Sequence, residues 1–285
     1  NNMKTIRLLY PDFVSGGLDE YYFGSNLMAH ILPQNDKQKL VRVAIEPPTG
    51  KAETVTDGIY AQKAVTDGIK DASDKIKNEA PDKIITIGGN CLVSLAPFDY
   101  LHGLYGNVGI IWIDAHPDVS CSADGYPNAH AMVLRTLLGD GEPVLANLMH
   151  NGAFPPKNIL YVGLQNLHDY QQAYLDKKGV NYKVQTDGFL SIDEIRNFAR
   201  QFSHVLVHFD IDVLDEHLFH STYFANPELV GDGSGGGKMK IEQLTDILVS
   251  IQDCSNIAGF TVAEYLPFDE YRLHKMFSKI NLLTE

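Results

Sequence analysis

Apolar residues follow two patterns that alternate along the chain. Short, nearly continuous apolar runs predict buried β-strands. These runs occupy residues 5–10, 40–46, 83–87, 108–113, 158–162, 182–185, 205–209 and 257–262. Between them, apolar residues spaced three or four apart predict amphipathic helices with one buried face. The predicted helices occupy residues 24–32, 57–80, 92–104, 131–138, 170–178, 191–201, 241–251 and 270–280.

Strands alternate with helices from one end of the chain to the other, and no linker or internal repeat interrupts them. This alternation is typical of a parallel sheet covered by helices on both faces. We therefore predict a single domain over residues 1–285 with an α/β fold, a three-layer, doubly wound, mainly parallel sheet with helices on both faces. In such sheets, ligands bind at the carboxyl ends of the strands.

Composition narrows the range of partners and compartments. The net charge of −13 disfavours nucleic acid and anionic membrane surfaces, because nothing would offset repulsion by phosphate. No apolar run approaches the roughly 18 residues that span a bilayer, so we expect no membrane partner. The three cysteines, Cys91, Cys121 and Cys254, are too few and too scattered for a disulfide framework. This pattern favours a reducing compartment, and we predict a cytoplasmic protein.

The strand predicted at residues 108–113 ends in an unusual group of polar residues. Four large apolar residues end the strand. After them, every second position is polar: Asp114, His116 and Asp118. Side chains at alternate positions of an extended chain point the same way, so these three can converge on one point. No neighbouring lysine or arginine neutralises them, and such a group is costly without a cation. The stretch therefore predicts a metal site at the carboxyl end of a buried strand.

A second apolar strand ends in Asp210 and Asp212, which again share one side of the extended chain. Together with Asp114 and Asp118 they make four carboxylates, and four carboxylates balance the charge of two divalent cations. The two strand ends therefore predict a centre for two metal ions. The alternative interpretation is that Asp210 and Asp212 only cap loops.

Two glycine-rich stretches are less specific. A third strand runs into Gly88-Gly89-Asn90-Cys91, where the glycines allow a sharp turn and Cys91 is either a metal ligand or a small buried residue. From these residues alone, burial is the favoured interpretation. Residues 231–237 resemble a phosphate loop but lack its required residues at the required spacing. We expect a mobile flap over a site there, with a plain surface loop as the alternative.

In their order along the chain, these motifs resemble those of the arginase/agmatinase family of ureohydrolases. That family carries Gly-Gly-(Asn/Asp)-His, then Asp-Ala-His-x-Asp, then (Ser)-x-Asp-x-Asp-x-x-Asp-Pro. This chain has Gly-Gly-Asn-Cys at 88–91, Asp-Ala-His-Pro-Asp at 114–118 and His-Phe-Asp-Ile-Asp-Val-Leu-Asp-Glu at 208–216. Calcineurin-like phosphoesterases use similar motifs in another order. Deacetylases of the same fold bind a single zinc ion and need fewer carboxylates.

The resemblance implies a binuclear hydrolase that cleaves a C–N bond of a small guanidino or amidino compound through a metal-bridging hydroxide. It implies two divalent cations, with Mn²⁺ as the expected ion. Two aspartates would bridge the metals, and two further residues would complete each metal site. The bridging pair is Asp114 and Asp210; Cys91 and Asp118 complete one metal site, and His116 and Asp212 complete the other. The resemblance also implies a homo-oligomer, either a trimer or a hexamer.

Three residues match catalytic positions of the family. Asp118 would hold the hydroxide in place, and His130 would relay protons to the leaving amine. Glu264, at the end of the last predicted strand, would pair with the planar guanidinium cation of the substrate. The alternatives are an ordinary loop histidine at position 130 and a solvated strand-end glutamate at position 264.

The chain departs from the family pattern at its first metal ligand. Cys91 stands where the family has histidine, and this correspondence makes ligation by the thiolate the favoured interpretation. A thiolate adds negative charge and softness, which tilts the site from Mn²⁺ toward Zn²⁺, Fe²⁺ or Co²⁺. On this interpretation, we expect Cys91→His to strengthen manganese binding.

Substrate recognition departs from the family pattern too. Ser120 replaces an asparagine by which arginases bind the α-carboxylate, and residues 163–168 lack the acids of the corresponding arginase loop. Arginine is therefore disfavoured, and other guanidino or formimidoyl compounds, including hydroxyarginine, fit at least as well. The alternative function is a weak or inactive family member that binds a metal or ligand in a regulatory role. The retained aspartates, with His116, His130 and Glu264, favour catalysis.

Overall fold

The computed structural model describes residues 3–228 and 234–285, and its strands form a central sheet and a small hairpin. The strands are β1 (Thr5–Tyr10), β2 (Lys39–Arg42), β3 (Val55–Thr56), β4 (Ile59–Tyr60), β5 (Lys83–Gly88), β6 (Gly109–Ile113), β7 (Ile159–Val162), β8 (His204–Asp210) and β9 (Asn256–Ala263). Among the described residues, the sheet has seven strands in the order β2-β1-β5-β9-β8-β6-β7, and every neighbouring pair is parallel. The two remaining strands, β3 and β4, pair with each other in antiparallel fashion.

Helices connect the strands of the sheet. Within the described ranges they are α1 (Glu20–Ile31), α2 (Gln62–Glu79), α3 (Leu95–Tyr105), α4 (Val133–Leu137), α5 (Pro143–Ala146), α6 (Asp169–Lys178), α7 (Ile192–Ala199), α8 (Ile241–Cys254), α9 (Phe268–Phe277) and α10 (Asn281–Thr284). None of these helices is both long enough and apolar enough to cross a membrane.

The sheet separates two hydrophobic cores, and β6 contributes to both. All five residues of β6 are buried, and its side chains alternate between the two faces. Ile110 and Trp112 pack into the core that also contains residues of α2 and α3, whereas Ile111 and Ile113 pack into the core under α7 and α8. This arrangement explains why the strand is a continuous apolar run, and it confirms the predicted three-layer α/β fold.

Several predicted bounds need correction. Helix α2 begins at Gln62 and not at residue 57, because residues 55–60 form the β3–β4 hairpin around the left-handed turn at Asp57. The helix predicted from residue 92 begins as a 3₁₀ turn over Cys91–Ser94, and α3 follows it. Strand β2 ends at Arg42 because the backbone amide of Ala44 bonds to a side chain, Asp71 Oδ2.

The prediction of a strand at residues 182–185 is wrong. This segment lies beside the edge strand β7, but the side chain of Gln185 makes the bonds that a strand backbone would make. Its Nε2 donates to the carbonyl of Tyr161 at 3.0 Å, and its Oε1 accepts from the amide of Gly163 at 2.8 Å. Because the edge is satisfied in this way, residues 182–185 do not add a strand to the sheet.

The parallel strands bring several chain segments to one edge of the sheet. The register pairs Ile113 of β6 with Phe209 of β8, and Asp210 of β8 with Ala263 of β9. Strand β5 lies on the other side of β9 and ends at Gly88. The polar residues that follow these four strands therefore meet at a common carboxyl edge.

Candidate metal and active site

Asp114 lies at the centre of the polar cluster and is completely buried. Its Oδ1 accepts the amide N–H of His116 at 2.7 Å, and its Oδ2 accepts the indole N–H of Trp112 at 3.1 Å. These two bonds fix the carboxylate between the strand end and the following turn. The side chain of Asp114, which the sequence predicts to lie between two metal sites, is therefore rigidly held.

Asp212 and His116 form one side of the cluster. His116 Nδ1 lies 2.9 Å from Asp212 Oδ2 and 3.5 Å from Asp114 Oδ1. One potential ligand atom from each of these three residues lies within 4.8 Å of the others. Asp212 is oriented further by the amide of Ala115, which donates to its Oδ1 at 3.3 Å, and its own amide donates to Asp210 Oδ1 at 2.7 Å.

Cys91 lies on the other side of the cluster and is buried. Its Sγ is 3.1 Å from Asp210 Oδ2 and 3.8 Å from Asp114 Oδ2, and its amide donates to Glu264 Oε1 at 2.9 Å. A second group of potential ligand atoms within 4.8 Å of one another comprises Cys91, Asp114, Asp118 and a residue outside our predicted ligand set, His208. The two groups share Asp114, which is the position expected of a bridging carboxylate.

The acids of the cluster repel one another when they are ionised. Burial and the charges of Asp118 and Asp212 raise the pKa of Asp114 well above its usual value. Burial and neighbouring carboxylates raise the pKa of Asp210 in the same way, and burial raises the pKa of Asp118 to about 6. Burial and the charges of Asp210 and Asp118 also raise the pKa of the Cys91 thiol.

Divalent cations fit this set of donors. Carboxylate oxygens, an imidazole nitrogen and a sulfur atom are the ligand types that divalent metal ions use, and cations would remove the repulsion between the acids. In the described part of the chain, no hydrogen-bond donor reaches the buried Oδ2 of Asp118. An unpaired carboxylate oxygen at such a position is expected where a cation is the missing partner.

Two histidines of the site are shifted toward their charged forms. Burial alone would lower the pKa of His116, but the charge of Asp212 and bonds to the carboxylates raise it well above the usual value. Burial opposes the shift at His130 as well, but Tyr126 and Glu264 raise its pKa. His130 Nε2 lies 2.8 Å from the Tyr126 hydroxyl, and its Nδ1 lies 3.1 Å from Glu264 Oε1.

Two of the predicted catalytic residues have left-handed backbones. Asp118 has φ +52° and Glu264 has φ +70°, values that are uncommon for residues other than glycine. The amide of Glu264 donates to the carbonyl of Gly89 at 2.7 Å, which connects the end of β9 to the turn before Cys91. The cluster thus lies where the surrounding structure holds a strained backbone, as is frequent at functional sites.

A cavity of about 320 Å³ opens above the cluster. Its floor contains most of the predicted site residues, while Asp114 lies beneath it. Aromatic rings line its walls, namely Tyr21, Tyr126, Tyr170, Tyr223 and Phe224. Within the described residues, its lining contains no lysine or arginine. Of the predicted flap, residues 231–233 lie outside the described part, but Ser234 lines the cavity and the carbonyl of Gly235 lies 3.0 Å from His116 Nε2.

His208 and Trp112 are site residues that the sequence interpretation missed. His208 is buried on β8, and its Nε2 lies 3.3 Å from Cys91 Sγ. Its ring stacks on that of Trp112, with centroids 3.5 Å apart and planes at 4°. Burial lowers the pKa of His208 to about 3, so the imidazole is neutral. One feature of the sequence could have indicated His208. It lies two positions before Asp210 and four before Asp212, so an extended chain places it on the same side as these two predicted ligands.

The metal-free protein should lose stability as the pH rises above 6.5. The folded chain holds protons on Asp114, Asp210 and His116 more tightly than the unfolded chain, because their pKa values are raised. Above the unfolded pKa of a histidine, about 6.5, unfolding releases such protons, so stability falls by roughly 1.4 kcal/mol per pH unit for each proton released. The lowered pKa values of His208 and Asp212 act only below this window.

Urea unfolding of chelator-treated protein between pH 6.5 and 8.5 measures this dependence. We expect a shallower slope for His116→Gln. The slope should be shallower again after a divalent cation is added, because the cation replaces the protons of the acids and of His116, and His130 remains as a contributor. Stability that rises with pH in the chelated wild-type protein would contradict the expected proton binding.

The fold and the site together define a class of three-layer α/β proteins with a buried cluster of acids, histidines and a thiol at the carboxyl edge of a parallel sheet. Residues 32–276 match the sequence profile of the Arginase family. The chain therefore belongs to the arginase family, as its motifs indicated.

The individual relatives share only about a quarter of their residues with this chain over the matched segments. An arginase from Staphylococcus aureus (strain MRSA252) is 28% identical over 163 residues, which cover 52% of this chain and 54% of that protein. The arginase of Bacillus caldovelox is 25% identical over 143 residues, 47% of each chain. The matched segment thus spans about half the length of these curated relatives.

Among solved structures, Entamoeba histolytica arginase, described in complex with L-ornithine, superimposes with a TM-score of 0.77 at 18% identity. That superposition covers 93% of this chain and 92% of the other. The formimidoylglutamase of Bacillus subtilis gives a TM-score of 0.66 at 15% identity over 94% and 80% of the two chains. At such low identities, these superpositions establish the shared fold.

Proposed function

We propose that the protein is a metal-dependent amidinohydrolase that cleaves a C–N bond of a small guanidino or amidino compound. The observation that carries this proposal is the pair of ligand groups that share the buried carboxylate of Asp114 beneath a cavity. Six residues would hold two divalent cations, namely Cys91, Asp114, His116, Asp118, Asp210 and Asp212. When bound, the cations would supply the Lewis acidity that makes water a nucleophile near neutral pH.

The residues of the chain would divide the remaining work. Asp118, whose Oδ2 is otherwise unpaired, would orient the attacking water and accept its proton. His130 holds its ring between the Tyr126 hydroxyl and Glu264, and it would deliver a proton to the leaving amine. Glu264 would pair with the cationic head of the substrate, since its carboxylate lines the cavity.

The lining of the cavity supports a cationic substrate head. Acids line the floor, aromatic rings line the walls, and the described lining contains no lysine or arginine to pair with a substrate carboxylate. Ser120, which departs from the arginase pattern, is buried in this lining beside the hydroxyl of Tyr170 at 3.3 Å. The names of the relatives bring arginine, formimidoylglutamate and agmatine into the substrate screen. Agmatine, suggested by a putative agmatinase of the same fold, has no carboxylate and fits this lining better than the other two.

Metal analysis followed by a substrate screen tests the proposal. We expect two equivalents of divalent cation per chain, and release of urea or ammonia from at least one guanidino or formimidoyl compound. Failure to retain any cation under supplementation with Mn²⁺, Zn²⁺, Co²⁺ or Fe²⁺ would refute the two-metal centre. Two bound equivalents without hydrolysis of any candidate would favour the alternative, a metal- or ligand-binding regulatory protein. Manganese, a homo-oligomer and a cytoplasmic location stay predictions.

A further inference from the structure

The histidine missing from the first motif has a spatial counterpart on another strand. The family pattern places histidine at position 91 and serine at position 208, whereas this chain has Cys91 and His208. The two residues are 117 positions apart in the sequence, yet His208 Nε2 lies 3.3 Å from Cys91 Sγ. The chain therefore keeps an imidazole at this side of the cluster, but β8 supplies it.

Hydrogen bonds define which ring nitrogen of His208 is free to bind a cation. His208 Nδ1 lies 2.7 Å from Ser94 Oγ, and Ser94 Oγ donates its own proton to Thr261 Oγ1 at 2.8 Å. Since that hydroxyl proton is committed to Thr261, Ser94 accepts from His208, and Nδ1 carries the ring proton. The lone pair of Nε2 therefore points toward Cys91. A histidine ligand whose other nitrogen donates to a neighbour is the usual arrangement at metal sites.

The surroundings of His208 hold its ring in one orientation. The ring is fully buried and stacks on Trp112, whose own N–H is bonded to Asp114. Such support limits the reorganisation that metal binding would require.

Distances agree with a shared cation. One potential ligand atom from each of Cys91, Asp114, Asp118 and His208 lies within 4.8 Å of every other. Sulfur and nitrogen ligands of one tetrahedral zinc ion lie roughly 3.5 Å apart, given zinc distances of about 2.3 and 2.0 Å. The observed separation of 3.3 Å between Cys91 Sγ and His208 Nε2 is close to that value.

We propose that His208 is a metal ligand and that Cys91 and His208 together form a mixed sulfur–nitrogen site with Asp114 and Asp118, selective for zinc-like ions over manganese. This inference rests on the proposed metal centre and specifies its first site. On binding, the Cys91 thiol releases its proton to solvent, and neutral His208 binds through the Nε2 lone pair. One sulfur, one nitrogen and two carboxylates make a set that suits Zn²⁺ or Co²⁺.

Cobalt titration of chelator-treated protein tests the proposal without an activity assay. We expect a thiolate-to-cobalt charge-transfer band in the wild-type protein and its loss in Cys91→Ser. His208→Gln should keep that band, alter the visible ligand-field bands, and weaken Zn²⁺ binding by about 100-fold or more. His204→Gln, on the same strand but stacked on Tyr105 away from the cluster, is the matched control and should behave as wild type.

Two outcomes for His208→Gln would overturn the proposal. One is unchanged Zn²⁺ affinity. The other is a weaker affinity with unchanged ligand-field bands, which would make His208 a hydrogen-bond partner of the thiol and not a ligand. If either outcome is found while the wild-type protein binds two cations and hydrolyses a substrate, the proposal for His208 fails and the proposed function stands. If the wild-type protein binds no cation, the proposed metal centre fails with it.

A measurement on the unaltered protein removes dependence on variant folding. In protein labelled with ¹⁵N-histidine, Zn²⁺ should shift the Nε2 resonance of His208 and leave its Nδ1 in the protonated form. An Nε2 resonance that does not move when zinc is bound would overturn the proposal.

A double variant that restores the family residues at positions 91 and 208 tests the predicted ion preference. Cys91→His combined with His208→Ser restores the family arrangement, and we expect it to bind Mn²⁺ more tightly than wild type and to lack the thiolate band. Retention of the wild-type ion preference by the double variant would overturn the predicted selectivity.

Discussion

Asp114→Asn is expected to weaken metal binding at both sites strongly and to reduce hydrolysis with it. The carboxylate of Asp114 belongs to both ligand groups, so its loss would remove a donor and a negative charge from each. Loss of an outer-shell partner of a metal site costs roughly 10–100-fold in affinity or activity. We therefore expect loss of a shared ligand to reduce cation affinity and kcat/KM by about 1,000-fold or more.

The matched control for Asp114→Asn is Asp99→Asn. Asp99 is another buried acid, but it accepts the backbone amides of His150 and Asn151, away from the cluster. Its substitution should lower the free energy of unfolding while leaving metal stoichiometry unchanged. Calorimetric cation titration, with circular dichroism to verify folding, measures both variants. Full metal binding by folded Asp114→Asn would refute its proposed bridging role.

Gly89→Ala is expected to destabilise the fold and to displace the site at once. A Cβ atom at position 89 would lie 2.0 Å from the carbonyl oxygen of Asp12 and 2.7 Å from its nitrogen. Both atoms belong to the backbone, so no flexible side chain can move aside. We expect a loss of about 3 kcal/mol or more in the free energy of unfolding.

The displacement should extend to catalytic residues, because the carbonyl of Gly89 accepts the amide of Glu264. Gly188→Ala is the control, since a Cβ at that exposed glycine meets nothing within 4 Å. That variant should remain within about 0.5 kcal/mol of wild type. Urea unfolding of both metal-free variants measures the difference. Equal stability of the two variants would show that the backbones at positions 12 and 89 can separate at little cost.

The sheet could be predicted because its strands are buried on both faces. Apolar runs such as residues 110–113 are possible only where two cores need covering, and parallel order follows from the intervening helices. What lies beside β7, at the edge of the sheet, could not be predicted in this way. Residues 182–185 have the composition of a strand, but whether an edge is completed by a backbone or by the side chain of Gln185 depends on tertiary contacts.

The candidate site was predictable wherever its residues follow each other at alternate positions. Asp114, His116 and Asp118 lie two positions apart, and Asp114 shares one ligand group with His116 and another with Asp118. The turn after Ile113, with its left-handed backbone at Asp118, brings them there, and the alternation in the sequence did not predict that turn. The pairing of Cys91 with His208 depends on the order of strands in the sheet, which no local spacing encodes. A histidine at the end of an apolar strand has the same sequence signature whether it is a ligand or a core residue.

Trp112 gives the candidate site its own optical reporter. It is the single tryptophan of the chain, and its indole both stacks on His208 and donates to Asp114. Fluorescence excited selectively at tryptophan therefore originates within contact distance of the proposed metal ligands. The emission would respond to the charge and occupancy of the cluster, so that loading and exchange of cations could be followed in real time on the unmodified protein, without a label or a substrate.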